Sequence, residues 1–276
     1  MLKTALVCIA NSEERYIGEW TDYHLKLGFS DIFIFQNNWR VDESAFRGIK
    51  RCSTLERERV LDIDMKSVHL CIGDGDRVQE RCYDRFIREF HKNYDFGCFF
   101  DVDEFLCLKK HDNVSDFLSE YIEYKAVGIN WRLFVNNGLT EVNDGDYSLV
   151  DRFVKCGSKL NRHIKTCINF KLSKSELQFR SNPHFVGYVD NGKPSDVTIS
   201  ADKKNYVIGP FNETDDLMDA QLNHYYCKTD EEFIDNKIPK SRCDIPRSMR
   251  SRMQGNYYPR DFDSHNENDV VDLTAL

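Results

Sequence analysis

The N-terminal third of the chain alternates between continuous apolar runs and a stretch whose apolar residues recur at helical spacing. The run KTALVCI at 3–9 predicts a buried strand, and DIFIF at 31–35 predicts another. Between them, EERYIGEWTDYHLKLG has the spacing of an amphipathic helix, with Asn11 and Ser12 as candidate N-caps and Gly28 as its candidate end. A strand–helix–strand unit of this kind predicts a parallel sheet.

A second unit of the same kind follows. RVLDID at 59–64 predicts a strand, GDGD predicts a turn, and RVQERCYDRFIREFHKN predicts a helix in which Asp76 and Gln79 have capping-box spacing. The apolar run DFGCFF at 95–100 predicts the strand that this helix leads into. Further along, AVGINWRLF, IKTCINFKL and YVIG predict shorter strands separated by polar loops.

Acidic residues follow directly after the predicted strand at 95–100. Asp101 and Asp103 are two positions apart and can turn towards one point beyond the sheet, at the strand end where open α/β sheets bind ligands. Side by side they would repel each other, and a divalent cation such as Mg²⁺ or Mn²⁺ would remove that cost. Glu104 can then point away and brace a neighbouring Arg or Lys. A helix cap or a turn is the alternative interpretation of the motif.

Two enzyme classes place a D-x-D motif after an apolar strand. Phosphatases of the haloacid-dehalogenase type carry it on the first strand of the domain, with the first Asp as nucleophile. Nucleotide-sugar glycosyltransferases of the GT-A type carry it after a nucleotide-binding half, where it holds a metal on the diphosphate. Here two strand–helix units precede Asp101, which favours the second class. A non-catalytic sugar-binding module, in which the motif is only a turn, is a further alternative.

Several further segments resemble glycosyltransferase family 92 and related family-2-like enzymes. They are ANSEERYIGEWTDYHLKLGFSDIFIFQNN, FFDVDEFL, INWRLFVNNG and NHYYCKTDEEF, in that order along the chain. Val135 departs from the pattern, because these families usually have Gly at that position. The matching segments cover most of residues 5–235.

The resemblance implies an α/β fold of the GT-A type, with a Rossmann-like nucleotide-binding half, a mixed central sheet and an irregular acceptor-side half. We expect one domain over 1–240, divided into 1–107 for the nucleotide and 108–240 for the acceptor. The implied reaction is metal-dependent transfer of a hexose, galactose or a similar sugar, from a UDP-sugar with inversion at the anomeric carbon. The implied acceptor is a saccharide of a surface polysaccharide or a lipid-linked glycan.

The ends of the first two predicted strands supply candidate contacts to uracil and ribose. They are Ala10, Asn11 and Glu13 after the first strand and Asn37 and Asn38 after the second. A simple N-cap is the alternative role for Asn11, and a turn is the alternative for the asparagine pair.

The resemblance implies that His224, near the end of the matching region, completes the metal's coordination by Asp101 and Asp103. Lys228 follows His224 by four residues, which would place it on the same side of a helical turn, where it could meet the diphosphate. A cap and a solvated helix face are the alternative. His184 is a competing candidate for the metal.

The acceptor-side half supplies the remaining candidates. Trp131 is either core or a platform on which a sugar ring stacks. His163 and Lys165 match an H-x-K pattern of the family and are expected to reach the phosphates, with a charged surface strand as the alternative.

An inverting transfer needs a carboxylate base for the acceptor hydroxyl. Asp151 is the first choice, because it occupies the family's usual acidic position before Arg-Phe, although an ion pair with Arg152 would explain it equally. Glu141, Asp144 and Asp146, from the preceding loop, are the alternatives.

Composition and charge bear on the partners and the cellular location that we expect. A net charge of −8 argues against nucleic-acid binding through a general basic face. The ten cysteines include no C-x-x-C pair and fall partly in apolar runs, which indicates reduced thiols in a cytoplasmic protein. The tail at 241–276 is basic and then acidic, and basic residues within 240–260 could contact the inner membrane surface.

Overall fold

The computed structural model describes most of the chain. The described residues are 1–37, 43–52, 57–73, 77–143, 148–172, 177–178, 182–185, 187–190, 193–195, 198–214, 218–237 and 270–272. Asn38, Asp144 and Asp146, three of the predicted site residues, lie outside these ranges.

The described residues form an α/β structure in which helices and strands alternate through the first half. The strands are β1 (Thr4–Ala10), β2 (Asp31–Asn37), β3 (Arg47–Cys52), β4 (Arg57–Asp62), β5 (Val68–Gly73), β6 (Phe96–Phe99), β7 (Glu104–Leu108), β8 (Ala126–Leu133), β9 (Lys155–Cys156), β10 (Asn161–Asn169), β11 (Leu177–Gln178), β12 (Gly187–Asp190), β13 (Lys193–Ser195), β14 (Thr198–Ser200), β15 (Tyr206–Val207), β16 (Ala220–His224) and β17 (Val270–Val271). The α-helices are α1 (Ile17–Lys26), α2 (Val78–Phe90), α3 (Val114–Ser119), α4 (Leu149–Arg152) and α5 (Asp230–Glu232). Short 3-10 helices occupy Glu43–Phe46, Met65–Ser67 and His91–Asn93, and a π-helical turn occupies Phe233–Lys237.

Ten of the described strands form one mixed sheet. Its main path is β15-β14-β8-β10-β6-β1-β2-β5, and β16 joins it by pairing with both β7 and β8. Strands β6, β1, β2 and β5 are mutually parallel, whereas β10 runs antiparallel to both β6 and β8. The predicted α/β class and mixed central sheet are confirmed.

Strand β1 is buried on both faces, as its continuous apolar sequence predicts. Alternate side chains, Leu6 and Cys8 among them, join the core cluster that contains Trp20 of α1. The intervening ones, such as Val7, join a second cluster that contains Phe86 of α2. The two helices therefore cover opposite faces of the parallel strands.

The first helix begins later than the sequence predicts. It starts at Ile17, with Tyr16 in the N-cap position, so Asn11 and Ser12 are not its caps. A turn lies between β1 and the helix, and Ser12 adopts a positive φ of 54° in it. The predicted end is correct, since Gly28 follows the helix with a φ of 98°, a conformation that favours glycine.

The second strand–helix unit uses a different strand from the one predicted. RVLDID overlaps β4, which among the described strands pairs with β3 in a separate two-stranded sheet. The strand that precedes α2 in the central sheet is β5, which pairs parallel to β2. Helix α2 then starts at Val78 with Arg77 in the N-cap position, whereas Asp76 lies outside the described residues.

Strands β6, β8 and β16 end at the same edge of the sheet as β1 and β2. This follows from the pairing, because β8 is antiparallel to β10, β10 is antiparallel to β6, and β16 is parallel to β8. The N-terminal part of β10 lies at this edge as well. The edge is the one at which the sequence places its acids.

The C-terminal segment 270–272 packs on the body of the domain. Strand β17 pairs antiparallel with β9, and Asp272 forms a buried ion pair with Arg132 at 3.1 Å. Residues 270–272 belong to the predicted tail at 241–276, whose basic part lies outside the described residues, and the tail stays a prediction. The division of 1–240 into two halves stays a prediction.

Two further expectations concern the chain as a whole. The eight cysteines whose side chains are described are all free thiols, as predicted. Within the described ranges, none of the helices combines the length and the apolar character needed to cross a bilayer.

Candidate functional site

The acids of the D-x-D motif lie in the turn that joins β6 to β7, at the carboxyl edge of the parallel strands. Asp101 is the more accessible, with 31% of its side chain exposed, whereas the side chain of Asp103 is 10% exposed. Glu104 starts β7 and is fully buried. Burial of three neighbouring carboxylates requires positive charge or hydrogen-bond donors nearby.

Asp101 receives a donor on each of its carboxylate oxygens. The side-chain amide of Gln79, near the start of α2, donates to Oδ1 at 2.6 Å. The ammonium of Lys165, on β10, donates to Oδ2 at 2.7 Å and is itself fully buried. The motif is therefore held from both sides, by a helix and by a neighbouring strand.

Glu104 fulfils the expectation that it braces a basic residue. Its carboxylate lies 3.5 Å from Lys165 and also accepts the backbone N–H of Asp101 at 2.9 Å. Burial raises the pKa of Glu104 well above its usual value, and Lys165 only partly opposes this. Burial alone would lower the pKa of Lys165, but Asp101 and Glu104 outweigh it and raise the pKa. Lys165 is thus a buried cation shared by two carboxyl groups.

Asp103 lies among basic groups from the C-terminal part of the domain. Its carboxylate is 3.0 Å from the ammonium of Lys237, 3.5 Å from Nε2 of His224 and 4.0 Å from the ammonium of Lys228. Burial alone would raise the pKa of Asp103, but these neighbours outweigh it and hold the pKa well below the usual value. Asp103 is therefore a carboxylate in the folded protein.

His224 is the last residue of β16, and the antiparallel pairing with β7 places it opposite Glu104. Burial lowers its pKa, and Asp103 only partly opposes this, so the imidazole is neutral near pH 7. Among the described residues, its Nδ1 is buried and has no hydrogen-bond partner. A neutral imidazole beside an ionised carboxylate is a pair of ligand types that divalent metals accept.

Trp131, near the end of β8, is the centre of an aromatic cluster. The ring of His163 stacks on it at 4.8 Å, that of His184 meets it edge-on at 5.1 Å, and that of His224 lies 4.3 Å away. Trp131 is 7% exposed, and its Nε1 is buried with no hydrogen-bond partner in the described part of the chain. The predicted sugar platform is thus covered on one face by His163.

Lys228 lies near the motif, but not through the predicted helical turn shared with His224. His224 ends a strand, so the two residues do not share a helical turn, and that part of the prediction is wrong. Instead Lys228 adopts a positive φ of 54° and turns its ammonium towards Asp103, at 3.9 Å from Glu13. The ammonium also lies 5.1 Å from the ring centre of Tyr16.

The predicted nucleoside contacts lie at the ends of adjacent parallel strands. Ala10 ends β1 and Asn37 ends β2, and both are buried; Ala10 pairs in register with Gln36. Asn11 and Glu13 follow in the turn after β1 and are partly exposed. The structure therefore brings these residues to the same edge as the D-x-D motif.

The candidate bases have different surroundings. Asp151 lies on α4 and is fully buried, and its backbone N–H donates to Ser148 Oγ, the helix cap. Its predicted alternative partner, Arg152, contacts Tyr16 and Glu232 through its guanidinium. Glu141 lies exposed in the loop before α4. A base must touch the acceptor hydroxyl, and the full burial of Asp151 would have to change before it could do so.

No group of three or more His, Cys, Asp and Glu side chains in the described part of the chain is arranged to hold a metal ion. Asp103 and His224 come close to each other, while Asp101 is held by Gln79 and Lys165. The two aspartates are each paired with a lysine.

Sequence reasoning missed two residues of the site, Gln79 and Lys237. Gln79 has capping-box spacing in the sequence, and its contact with Asp101 depends on how α2 packs on the sheet. Lys237 is 134 positions from Asp103, in a segment without a recognisable pattern. No signal in the sequence alone connects either residue to the motif.

Comparison with known proteins adds little to this geometry. No protein-family profile matches the chain, and no curated protein matches it. Among solved structures, it resembles 4-diphosphocytidyl-2C-methyl-D-erythritolsynthase from Anaerococcus prevotii DSM 20548, with 11% identity and a TM-score of 0.30 over 62% of this chain and 73% of that one. A likeness of this size supports no conclusion about fold or activity.

Proposed function

We propose that the protein is a metal-dependent, inverting glycosyltransferase that takes a hexose, galactose or a similar sugar, from a UDP-sugar. The observation that carries the proposal is the convergence of the D-x-D motif with His224, Lys165 and Lys228 at the carboxyl edge of the parallel strands. Three separate segments contribute these groups, and the lysines provide the positive charge that a diphosphate needs.

The residues present fit a hard divalent cation in part. Asp103 is ionised and His224 is neutral, as ligands must be, and they lie 3.5 Å apart. Asp101 would join them through the lone pairs that Gln79 and Lys165 leave free. When bound, Mg²⁺ or Mn²⁺ would supply Lewis-acid charge to the leaving diphosphate.

Different residues of the chain would bind the uridine, the phosphates and the sugar of the donor. The strand ends at Ala10 and Asn37, with Asn11 and Glu13, would hold the uridine. Lys228 would meet the phosphates, whereas the fully buried Lys165 would act on them through Asp101; His163 lies two positions before Lys165 on the same strand. The cluster around Trp131 would receive the sugar or acceptor once His163 moves from its face.

A carboxylate must take the proton from the acceptor hydroxyl as that oxygen attacks the anomeric carbon. Asp151 is the first candidate and Glu141 the second. Asp151→Asn and Glu141→Gln should be compared by kcat and by UDP-sugar affinity. The base is the residue whose replacement lowers kcat by about 10²–10⁴-fold without weakening donor binding.

Calorimetric titration of a panel of UDP-sugars, with and without Mn²⁺, tests the central proposal. Wild-type protein should bind the UDP series only with metal, and Asp103→Ala should abolish this binding. Asp219→Ala is the matched control, because Asp219 forms an exposed ion pair with Lys110 away from the motif and should bind as wild type does.

Three outcomes contradict the proposal. Phosphate release from sugar phosphates without UDP would indicate a D-x-D phosphatase, and sugar binding without nucleotide or metal would indicate a binding module. Equal UDP binding by wild type and Asp103→Ala would exclude the motif from the site.

The acceptor and the location of the protein are further parts of the proposal. A saccharide of a surface polysaccharide or a lipid-linked glycan suits a cytoplasmic enzyme of this class. Contact with the inner membrane through 240–260 stays a prediction, because that segment lies outside the described residues.

A further inference from the structure

Lys237 belongs to the site although nothing in the sequence points to it. It is the last residue of the π-helical turn Phe233–Lys237, and 29% of its side chain is exposed. Its ammonium lies 3.0 Å from Oδ2 of Asp103 and 4.4 Å from the ring centre of Tyr226. A charged hydrogen bond and an aromatic face therefore fix this cation on the second acid of the motif.

A divalent cation and this ammonium compete for the same carboxylate. A divalent cation held by Asp103 would share that carboxylate with the ammonium of Lys237, which lies 3.0 Å from Oδ2. Two positive groups on one carboxylate repel each other strongly in a partly buried site. Lys228, already 4.0 Å from Asp103, would add to the repulsion. The ammonium of Lys237 on Oδ2 therefore opposes metal binding at Asp103, and the metal would bind more tightly once this ammonium leaves.

The displaced ammonium needs a new anionic partner close by. Glu13 is already 3.9 Å from Lys228, and Asp101 already accepts from Lys165 and Gln79. The proposed function puts a nucleoside diphosphate beside the motif, where it would bring its own negative charge. The flexible stem of a lysine allows its charge to move by the few ångströms required.

We propose that Lys237 is a ligand of the donor diphosphate that Asp103 holds in place in the free protein and releases when metal and nucleotide bind. The inference rests on the proposed function and adds to it a phosphate-binding residue with a second, competing position. In the free protein Lys237 weakens metal binding, and in the complex it strengthens nucleotide binding. These two effects have opposite signs, and a purely structural role would not produce both.

Two binding constants of Lys237→Met test the inference. The first is the dissociation constant for Mn²⁺ without nucleotide, measured by electron paramagnetic resonance of the free ion. It should fall about tenfold, because the competing ammonium is gone. The second is the dissociation constant for UDP at saturating Mn²⁺, measured by calorimetry. It should rise about tenfold, because a charged contact to the phosphates is lost.

Lys203→Met is the matched control. Lys203 also pairs with a carboxylate, that of Glu120 at 2.6 Å, and also lies over a tyrosine ring, that of Tyr121 at 4.9 Å. It should leave both constants unchanged. Lys237→Arg keeps the positive charge and should change each constant less than Lys237→Met does. Thermal unfolding of every variant checks that the fold is intact.

The outcomes separate the inference from the proposed function. Wild-type protein that binds neither Mn²⁺ nor UDP would overturn the proposed function, and the inference with it. If wild-type protein binds both, then tighter metal and weaker nucleotide binding by Lys237→Met supports the inference. Any other pattern in that variant overturns the inference alone.

Discussion

Lys165 and Asp101 form an ion pair whose two side chains differ in burial. The two charged groups are 2.7 Å apart, yet the side chain of Lys165 is fully buried while 31% of that of Asp101 is exposed. Glu104, also fully buried, lies 3.5 Å from the same ammonium. The buried ammonium of Lys165 is thus shared by two carboxyl groups and holds the motif at the edge where a ligand would bind.

Replacing Lys165 by methionine keeps the length of the side chain but removes this charge. The free energy of unfolding at pH 7 should fall by about 3–5 kcal/mol, because the buried carboxyl groups lose their partner. Urea denaturation measures this free energy of unfolding. Lys171→Met is the control: Lys171 is 70% exposed in its pair with Asp95, so the loss should not exceed about 1 kcal/mol. Equal losses in the two variants would contradict the buried role of Lys165.

A second buried cation, Arg152, connects three segments. Its guanidinium donates to the hydroxyl of Tyr16 at 3.0 Å and to the carboxylate of Glu232 at 3.4 Å, and Tyr16 also donates to Glu232. Burial alone would raise the pKa of Glu232, but Lys228, Tyr16 and Arg152 outweigh it and lower the pKa. Arg152→Met should therefore leave an ionised carboxylate with too few partners and cost about 3–5 kcal/mol in unfolding free energy.

The double variant Arg152→Met with Glu232→Leu should recover part of that loss, because it removes both charges at once. Urea denaturation of the single and double variants gives the coupling energy between the two positions. Arg162→Met breaks an exposed pair with Glu213 and should cost no more than about 1 kcal/mol. Additive losses in the double variant would show that the two residues do not act together.

The first half of the fold could be predicted because its strands are buried on both faces. Runs such as those of β1 and β2 have few alternative structures, and the acids after β6 then have a defined place at the sheet edge. The sequence pattern does not predict β5, because the partly exposed His69 interrupts its apolar run, and it predicts a strand at RVLDID instead. Local pattern does not distinguish a strand of the central sheet from one of a separate two-stranded sheet.

Local sequence pattern is limited in the same way for the candidate site. The acids and His224 could be identified from the sequence, because they belong to short segments with a recognisable pattern. The contacts that pair their charges join residues far apart in the chain, 64 positions for Lys165 and Asp101 and 134 for Lys237 and Asp103. Such contacts depend on the tertiary structure, so their partners could be identified only from the fold.

Acid should destabilise the protein through His24. This residue of α1 is fully buried; Nδ1 lies 2.8 Å from the carbonyl oxygen of Trp20, and Nε2 accepts the N–H of Leu106 at 3.3 Å. Burial lowers the pKa of His24 to about 3, from 6.5, and the bond to Trp20 offsets this only in part. The folded pKa is below the unfolded one, so this contribution to stability is complete above pH 6.5 and is lost as pH falls towards 3.

Comparison of wild type with His24→Gln isolates the effect of His24. Between pH 6 and pH 4 the unfolding free energy of wild type should fall more steeply than that of the variant, by about 1.4 kcal/mol per pH unit. Denaturant titrations at a series of pH values measure both slopes. Other titrating groups are common to the two proteins, so equal slopes would mean that His24 takes up a proton in the folded protein.

The two histidines proposed for the metal can be distinguished directly. His224 lies 3.5 Å from the carboxylate of Asp103, whereas the described contacts of the His184 ring are with Trp131 and His163. Replacing His224 by alanine should weaken Mn²⁺ binding at least about tenfold, because an imidazole ligand is lost. His184→Ala should bind Mn²⁺ as wild type does. Electron paramagnetic resonance of free Mn²⁺ measures both affinities, and thermal unfolding checks that both variants fold. If His184→Ala alone weakened binding, the ligand would be His184, and the contact between His224 and Asp103 would be an ordinary buried pair.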